Sequence, residues 1–196
     1  MSSKAHFNPK SLKWIISLVV MIVLSAGVIF ATISADNLAN KKYREIYDLS
    51  YNVASSESVA LVSASAGEYG ITAVEKQLDA SGNVIGFLVS GTTVGYNAEV
   101  PIEMTATITA DGQYVVGIDI LKQEETEYLG VRIQGDDFKN QFKGRLLPVV
   151  SSVGNDKGSN IDVLAKSTIS SEAVINGVSN AVEYLKATNL ITPVEE

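Results

Sequence analysis

Cysteine is absent from these 196 residues, which rules out disulfides, thiolate catalysis, iron–sulfur ligation and cysteine-based zinc sites. Histidine is nearly absent, since the one example, His6, stands in the N-terminal tail. A Ser-His-Asp arrangement therefore has no imidazole in the body of the chain, and a histidine-rich metal site cannot be assembled. Clustered positive charge is missing too. Fifteen Lys and Arg against 22 Asp and Glu leave a formal net charge of −7. A surface that neutralises phosphates needs the opposite balance, so nucleic acid is not an expected partner. Chemistry in this chain has to come from carboxylates or from a bound cofactor.

A long uncharged run is present. Trp14–Ile33 contains no Asp, Glu, Lys or Arg, and at about 1.5 Å per residue it reaches about 30 Å, the thickness of a bilayer's hydrocarbon core. The run predicts a transmembrane helix over residues 14–33, after a polar tail over 1–13. A cleaved signal peptide fits less well, because its apolar region runs to about 7–15 residues and ends in a small-x-small site. Here Ile33 stands two before Ala35. Ser25, Ala26 and Gly27 are small enough for close approach of a neighbouring helix. Lys4, Lys10 and Lys13 before the run and Lys41, Lys42 and Arg44 after it leave the positive-inside rule without a bias. Residues 34–70 read as a connector, helical over Asn37–Leu49, then Ser- and Ala-rich over Tyr51–Gly70 as a mobile stretch or a short helix.

From Ile71 the apolar period changes to two. Ile71–Leu78 and Val84–Ser90 flank the turn residues Asp79 to Asn83, and Met104–Thr109 and Tyr114–Leu121 flank Ala110-Asp111-Gly112. Two hairpins of an antiparallel sheet are expected, with Gly86 and Gly117 marking bulges or close backbone approach. Asp137–Gly144 predicts a short amphipathic helix packing Phe138 and Phe142. Gly154–Asn160 reads as a loop. Val174, Val178 and Val182, with Ala181 and Leu185, predict an amphipathic helix from about Ser170 to Lys186. Ser170 or Ser171 is the expected N-cap, and free N–H groups face Thr168. The helix ends near Thr188-Asn189, before a polar tail over 189–196.

The order of these segments resembles the FMN-binding domain family. Gly95-Tyr96 and Pro101-Ile102 resemble elements before its second hairpin. Glu125-Thr126-Glu127-Tyr128-Leu129-Gly130 resembles its Glu-Thr-Pro-Gly-Leu-Gly segment, and Gln141-Phe142-Lys143-Gly144 its Gln-Phe-x-Gly. Asp162 through Thr168 to Ser170, Ser171, Ala173 and Val174 resembles its flavinylation motif. The motif's usual Ser-Gly-Ala is Ala165-Lys166-Ser167 here, and the Pro-Gly pair is Glu127-Tyr128.

The resemblance implies an α+β protein: an N-terminal transmembrane helix, then an extracytoplasmic FMN-binding domain over residues 71–188, with antiparallel hairpins and a C-terminal helix. It implies FMN joined covalently through a phosphoester to Thr168, and recognition of Asp162 by a flavin transferase. Glu125, Thr126, Leu129, Gly130, Lys166 and Ser167 become candidate flavin contacts, and no residue a catalyst or metal ligand. Length and a single span are most similar to the G subunits of Rnf-type complexes, which couple ferredoxin:NAD oxidoreduction to translocation of Na+ or H+. The C subunits of sodium-pumping NADH:quinone reductases are the alternative. The implied partners are other membrane subunits and the transferase, and the implied place is the cytoplasmic membrane with the N-terminus inside. Two further readings stay open: a membrane-tethered assembly module that has lost its flavin, and an extracytoplasmic flavoprotein serving an extracellular electron acceptor.

Overall fold

The structure is a computed structural model and describes residues 46, 49–50, 52–154 and 157–191. The predicted span Trp14–Ile33, the tail before it, almost all of the helix expected over Asn37–Leu49 and the last five residues lie outside the described residues. Among the described residues no helix is long and apolar enough to cross a membrane.

Both expected hairpins form, in one continuous meander. Strands β1 (Ser55–Ser58), β2 (Ile71–Leu78), β3 (Val84–Thr93), β4 (Ile102–Thr109), β5 (Tyr114–Lys122) and β6 (Arg145–Leu146) pair in sequence order, each antiparallel to the next. The turn between β2 and β3 is held by Asp79. Its carboxylate accepts the N–H of Ser81 at 2.8 Å and of Asn83 at 2.9 Å, and the Asn83 side-chain amide at 3.0 Å. These bonds, led by the Asn83 amide, hold the Asp79 carboxyl below the usual carboxylate range. Within the stretch left open as mobile or helical, Ser63–Tyr69 forms a short helix, α1, and β1 adds an exposed edge to the sheet.

The period of two in β4 turns Ile102, Met104, Ala106 and Ile108 to one face, where all four are buried. Against that face lies the C-terminal helix α3 (Thr168–Ala187), which buries Val174, Val178, Ala181, Val182 and Leu185. These valines recur at the helical spacing that marked the segment, and they join sheet and helix in one core. Thr93 Oγ1 donates to the Ala173 carbonyl at 2.9 Å, and the Val62 N–H donates to Tyr184 Oη at 3.1 Å, fixing the helix to β3 and to the start of α1.

Phe138 and Phe142 meet edge to face at 5.5 Å, both fully buried. The single helix expected there is instead one turn, α2 (Asp136–Lys139), tightening into a 3-10 turn over Asn140–Phe142. Lys139 reaches Asp119 of β5 at 2.9 Å, and that bond holds its ammonium above the ordinary lysine range. The loop expected over Gly154–Asn160 ends earlier: Ser159–Ile161 is a strand, β8, parallel to β7 (Val149–Ser151). The pairing register slips beside Gly117, between Thr107 and Ile108, whereas Gly86 is a place of close approach. A Cβ on Gly86 would stand 2.6 Å from the Ile108 carbonyl oxygen and 2.6 Å from Leu49 Cδ1.

Forcing a methyl group into such a contact costs about 1–3 kcal/mol. Gly86→Ala is expected to destabilise the full chain in detergent by that amount in thermal or urea unfolding. An unchanged midpoint would show that β3 and β4 are looser than this packing requires.

Candidate functional site

The Tyr96-Asn97 loop, the segment after β5 and the start of α3 meet at the carboxylate of Glu125. The residue follows β5 and is buried. Its Oε2 accepts the Tyr96 N–H at 3.1 Å and the Ser170 hydroxyl at 2.5 Å, while Oε1 accepts the Asn97 N–H at 3.2 Å. Its own N–H donates to Gln123 Oε1 at 2.6 Å, and the Asn97 side chain donates to the Glu124 carbonyl at 2.8 Å. A buried carboxylate needs this many donors, because without them its desolvation is uncompensated. The surrounding backbone has to come very close. A Cβ on Gly95 would collide with the carboxylate, and one on Gly130 would lie 2.6 Å from Glu125 Cβ.

In front of this clamp opens a cavity of about 390 Å³, lined by Tyr96, Thr126, Leu129, Gly130, Lys166, Ser167, Thr168, Ile169 and Ser170. That volume is in the range of small-molecule sites. Of the candidate contacts read from the sequence, Thr126, Leu129, Gly130, Lys166, Ser167 and Thr168 line this one cavity. Glu125 stands behind the wall as the residue that assembles it.

The α3 N-terminus differs from the expected cap. The helix begins at Thr168 with Ser167 as N-cap, and neither Ser170 nor Ser171 takes that role. The Ser170 hydroxyl is drawn to Glu125. The Ser171 hydroxyl donates to the Ser167 carbonyl at 2.9 Å and accepts the Leu164 N–H at 3.1 Å. Glu172 falls beyond the first turn, which holds no acidic residue. Thr168 is therefore the first helical residue, half-buried, at the end where helix N–H groups have no internal acceptor.

Asp162 is exposed and does not line the cavity. Gln141 holds its backbone from both sides, accepting the Asp162 N–H at 2.8 Å and donating to its carbonyl at 3.2 Å. The Arg132 guanidinium donates to the Ala165 carbonyl at 3.4 Å. The loop before α3 is thus tied to the two segments that follow β5.

Lys166 has φ +65° and Tyr128 has φ +62°, both in the left-handed region that favours glycine. These are the two positions where this chain replaces a glycine of the motifs it resembles. Tyr128 is 85% exposed. Sequence reasoning missed Tyr96 and Ile169 as cavity walls, and Ser170 and Asn97 as partners of Glu125. For Ser170 a signal existed, a hydroxyl in the first turn of an amphipathic helix. Its partner lies 45 residues away in sequence, which no local pattern reveals.

Residues 95–183 match the FMN-binding domain family. The chain is 36% identical over 112 residues to the G subunit of the ion-translocating oxidoreductase complex of Methanosarcina acetivorans, covering 57% of each chain. It is 33% identical over 127 residues to the G subunit of the Na(+)-translocating ferredoxin:NAD(+) oxidoreductase complex of Acetobacterium woodii, covering 60% of each chain. The chain thus spans less than two thirds of the length of these curated relatives. The crystal structure of the C subunit of the Na(+)-translocating NADH-quinone reductase from Parabacteroides distasonis shares the fold, with a TM-score of 0.54 at 19% identity over 80% of this chain and 84% of that one.

Strain at a left-handed non-glycine residue costs about 1–2 kcal/mol, against about 0.5–1 kcal/mol for the extra chain entropy of a glycine. Lys166→Gly is therefore expected to stabilise the full chain by about 0.5–1 kcal/mol in thermal unfolding, and a loss of stability would contradict the strain. The match to the FMN-binding domain family, over residues 95–183, takes in both the Glu125 clamp and Thr168.

Proposed function

We propose that the chain is an electron-transfer subunit of a membrane-bound, Rnf-type complex, carrying FMN through a phosphoester on Thr168. One observation supports this reading above the others: Thr168 opens the 20-residue helix α3 and lines the same cavity as Thr126, Leu129, Gly130, Lys166 and Ser167. The residues fit the group. The cavity has the volume for a ring system, Leu129, Ile169 and Tyr96 offer apolar wall, and the helix start favours a phosphoryl anion.

Each part of the site has a role in holding the cofactor. Thr168 would hold the FMN phosphate through its hydroxyl oxygen at the helix start, with a flavin transferase making the phosphoester. The exposed loop at Asp162, held by Gln141, is where the transferase recognises the substrate. Glu125 keeps the Tyr96 lip and the α3 start at fixed separation, so the cavity is formed before the flavin arrives. Once bound, FMN supplies one- and two-electron transfer that no side chain of this protein provides. A covalent link retains it on the extracytoplasmic side, where a freely dissociating cofactor would be lost by dilution. Trp14–Ile33 anchors the domain beside the other membrane subunits, between which electrons pass while Na+ or H+ moves elsewhere in the complex.

Coexpression of the full chain with a flavin transferase is expected to give a band that fluoresces under ultraviolet light on a denaturing gel, and Thr168→Val is expected to abolish it. A dark parent band, with the transferase active on a control substrate, would overturn the covalent reading. It would favour the tethered assembly module, since Lys166 and Tyr128 occupy left-handed backbone at the motif's glycine positions.

A further inference from the structure

Tyr128 combines left-handed backbone, φ +62°, with a side chain that is 85% exposed. That backbone is unfavourable for any residue with a Cβ. Nothing inside the domain offsets it, because the Tyr128 side chain makes no hydrogen bond or ring contact among the described residues. Strain kept without an internal partner points to a contact outside the chain. Three more large apolar side chains stand exposed around the same cavity. Tyr96 and Ile169 line it, Val94 is two residues before Tyr96, and Tyr128 itself lies between the lining residues Thr126 and Leu129. Exposed apolar patches rimmed by polar groups mark protein-docking sites, where tyrosine is enriched as an anchor.

The charge flanking this patch is negative. Glu99, Glu124 and Glu127 are exposed, and none of their carboxylates makes an ion pair among the described residues. Lys166 is the single cation on the cavity wall. The two acidic loops are tied together: the Asn97 side-chain amide donates to the Glu124 carbonyl at 2.8 Å, and its oxygen accepts the Glu99 N–H at 3.2 Å. The buried Glu125 carboxylate holds the Tyr96 and Asn97 N–H groups from behind. A surface fixed before contact loses little freedom on docking. Charge then selects the occupant. An anionic lipid surface, or a second copy of this chain of net charge −7, would bring like charge against the rim. A protein with Lys and Arg around an apolar hollow would match it.

We infer that the mouth of the cavity docks a basic protein partner, with Tyr128 as the anchor that enters an apolar hollow and Glu99, Glu124 and Glu127 meeting the cations around it. The inference rests on the function proposed above only for the partner's place in the same complex. The surface itself is assigned by Tyr128 and the three carboxylates. A partner seated on Tyr96, Tyr128 and Ile169 covers the cavity mouth and shields its contents from water.

The test uses the full chain in its native host, with Val94→p-benzoylphenylalanine as a photo-crosslinker inside the patch. Irradiation is expected to join the chain to one protein, through a peptide that mass spectrometry shows to be rich in Lys and Arg. Adding Tyr128→Gly is expected to lower the crosslink yield about tenfold, as loss of an interface anchor does. The same change is expected to raise the thermal unfolding midpoint of the purified chain, because glycine suits φ +62°, so the lost crosslink is not lost folding. Glu124→Gln with Glu127→Gln is expected to lower the yield about threefold, and high salt to do the same to the parent. Glu57→Gln with Glu68→Gln, an equal charge change at exposed positions of β1 and α1, is expected to leave the yield unchanged. No crosslink, a crosslink only to lipid or to a second copy, a joined peptide without basic residues, or a yield indifferent to Tyr128→Gly would overturn the docking surface. Any of these beside a fluorescent parent band would leave the flavin reading standing. A dark band beside a crosslink to a basic peptide that depends on Tyr128 would do the reverse.

Discussion

A carboxylate buried among backbone donors sets the architecture of this domain. Glu125 brings together the Tyr96-Asn97 loop, the segment after β5 and the first turn of α3, regions far apart in sequence. The Ser170 bond at 2.5 Å is in the range of charge-assisted O–H···O⁻ contacts, which are roughly twice as strong as neutral ones. The cost of removing one donor is larger than the worth of that bond, because the charge stays buried. The hydrophobic contacts of α3 on the sheet could tolerate small sliding. The clamp does not, and it fixes where the helix begins relative to the cavity.

Residue types around the clamp follow from it. Gly95 and Gly130 are small because Glu125 occupies the space a Cβ would need. Lys166 and Tyr128 break the rule that left-handed backbone is given to glycine, and both flank segments that form the cavity. Strained backbone persists where the surrounding structure over-determines it, and such places concentrate at functional sites. Here the loop before α3 is held by Gln141 at Asp162 and by Arg132 at Ala165, and those ties keep Lys166 in its conformation. A side chain with charge and reach is thereby placed at the cavity, where glycine would leave only backbone.

Much of this was legible in the sequence for a physical reason. Alternation in Ile71–Leu78 and Tyr114–Leu121 and the four-residue spacing of Val174, Val178 and Val182 are local signatures of a half-buried strand and helix. The turn at Asp79 was equally plain. Thr126, Leu129 and Gly130 after β5 and Lys166, Ser167 and Thr168 before and at the start of α3 line one cavity. What was not legible is long-range. The cap of α3 falls on Ser167 because Glu125 draws Ser170 away and Leu164 engages Ser171. Neither partner is visible from helix-capping rules. β1 was hidden because Ser-rich residues on an exposed edge carry no apolar alternation. The segment of Phe138 and Phe142 is one α-helical turn that tightens into a 3-10 turn over Asn140–Phe142, a change the four-residue spacing does not reveal.

If the Glu125–Ser170 bond couples α3 to the loops that form the cavity, the two residues must be energetically dependent on each other. A double-mutant cycle of Glu125→Gln and Ser170→Ala, read by denaturant unfolding of the full chain, measures that dependence. A coupling of about 1.5–3 kcal/mol is expected, the range for hydrogen bonds to a charged group. Additivity of the two changes within about 0.5 kcal/mol would contradict the clamp, and would mean that the helix is held by its apolar face alone.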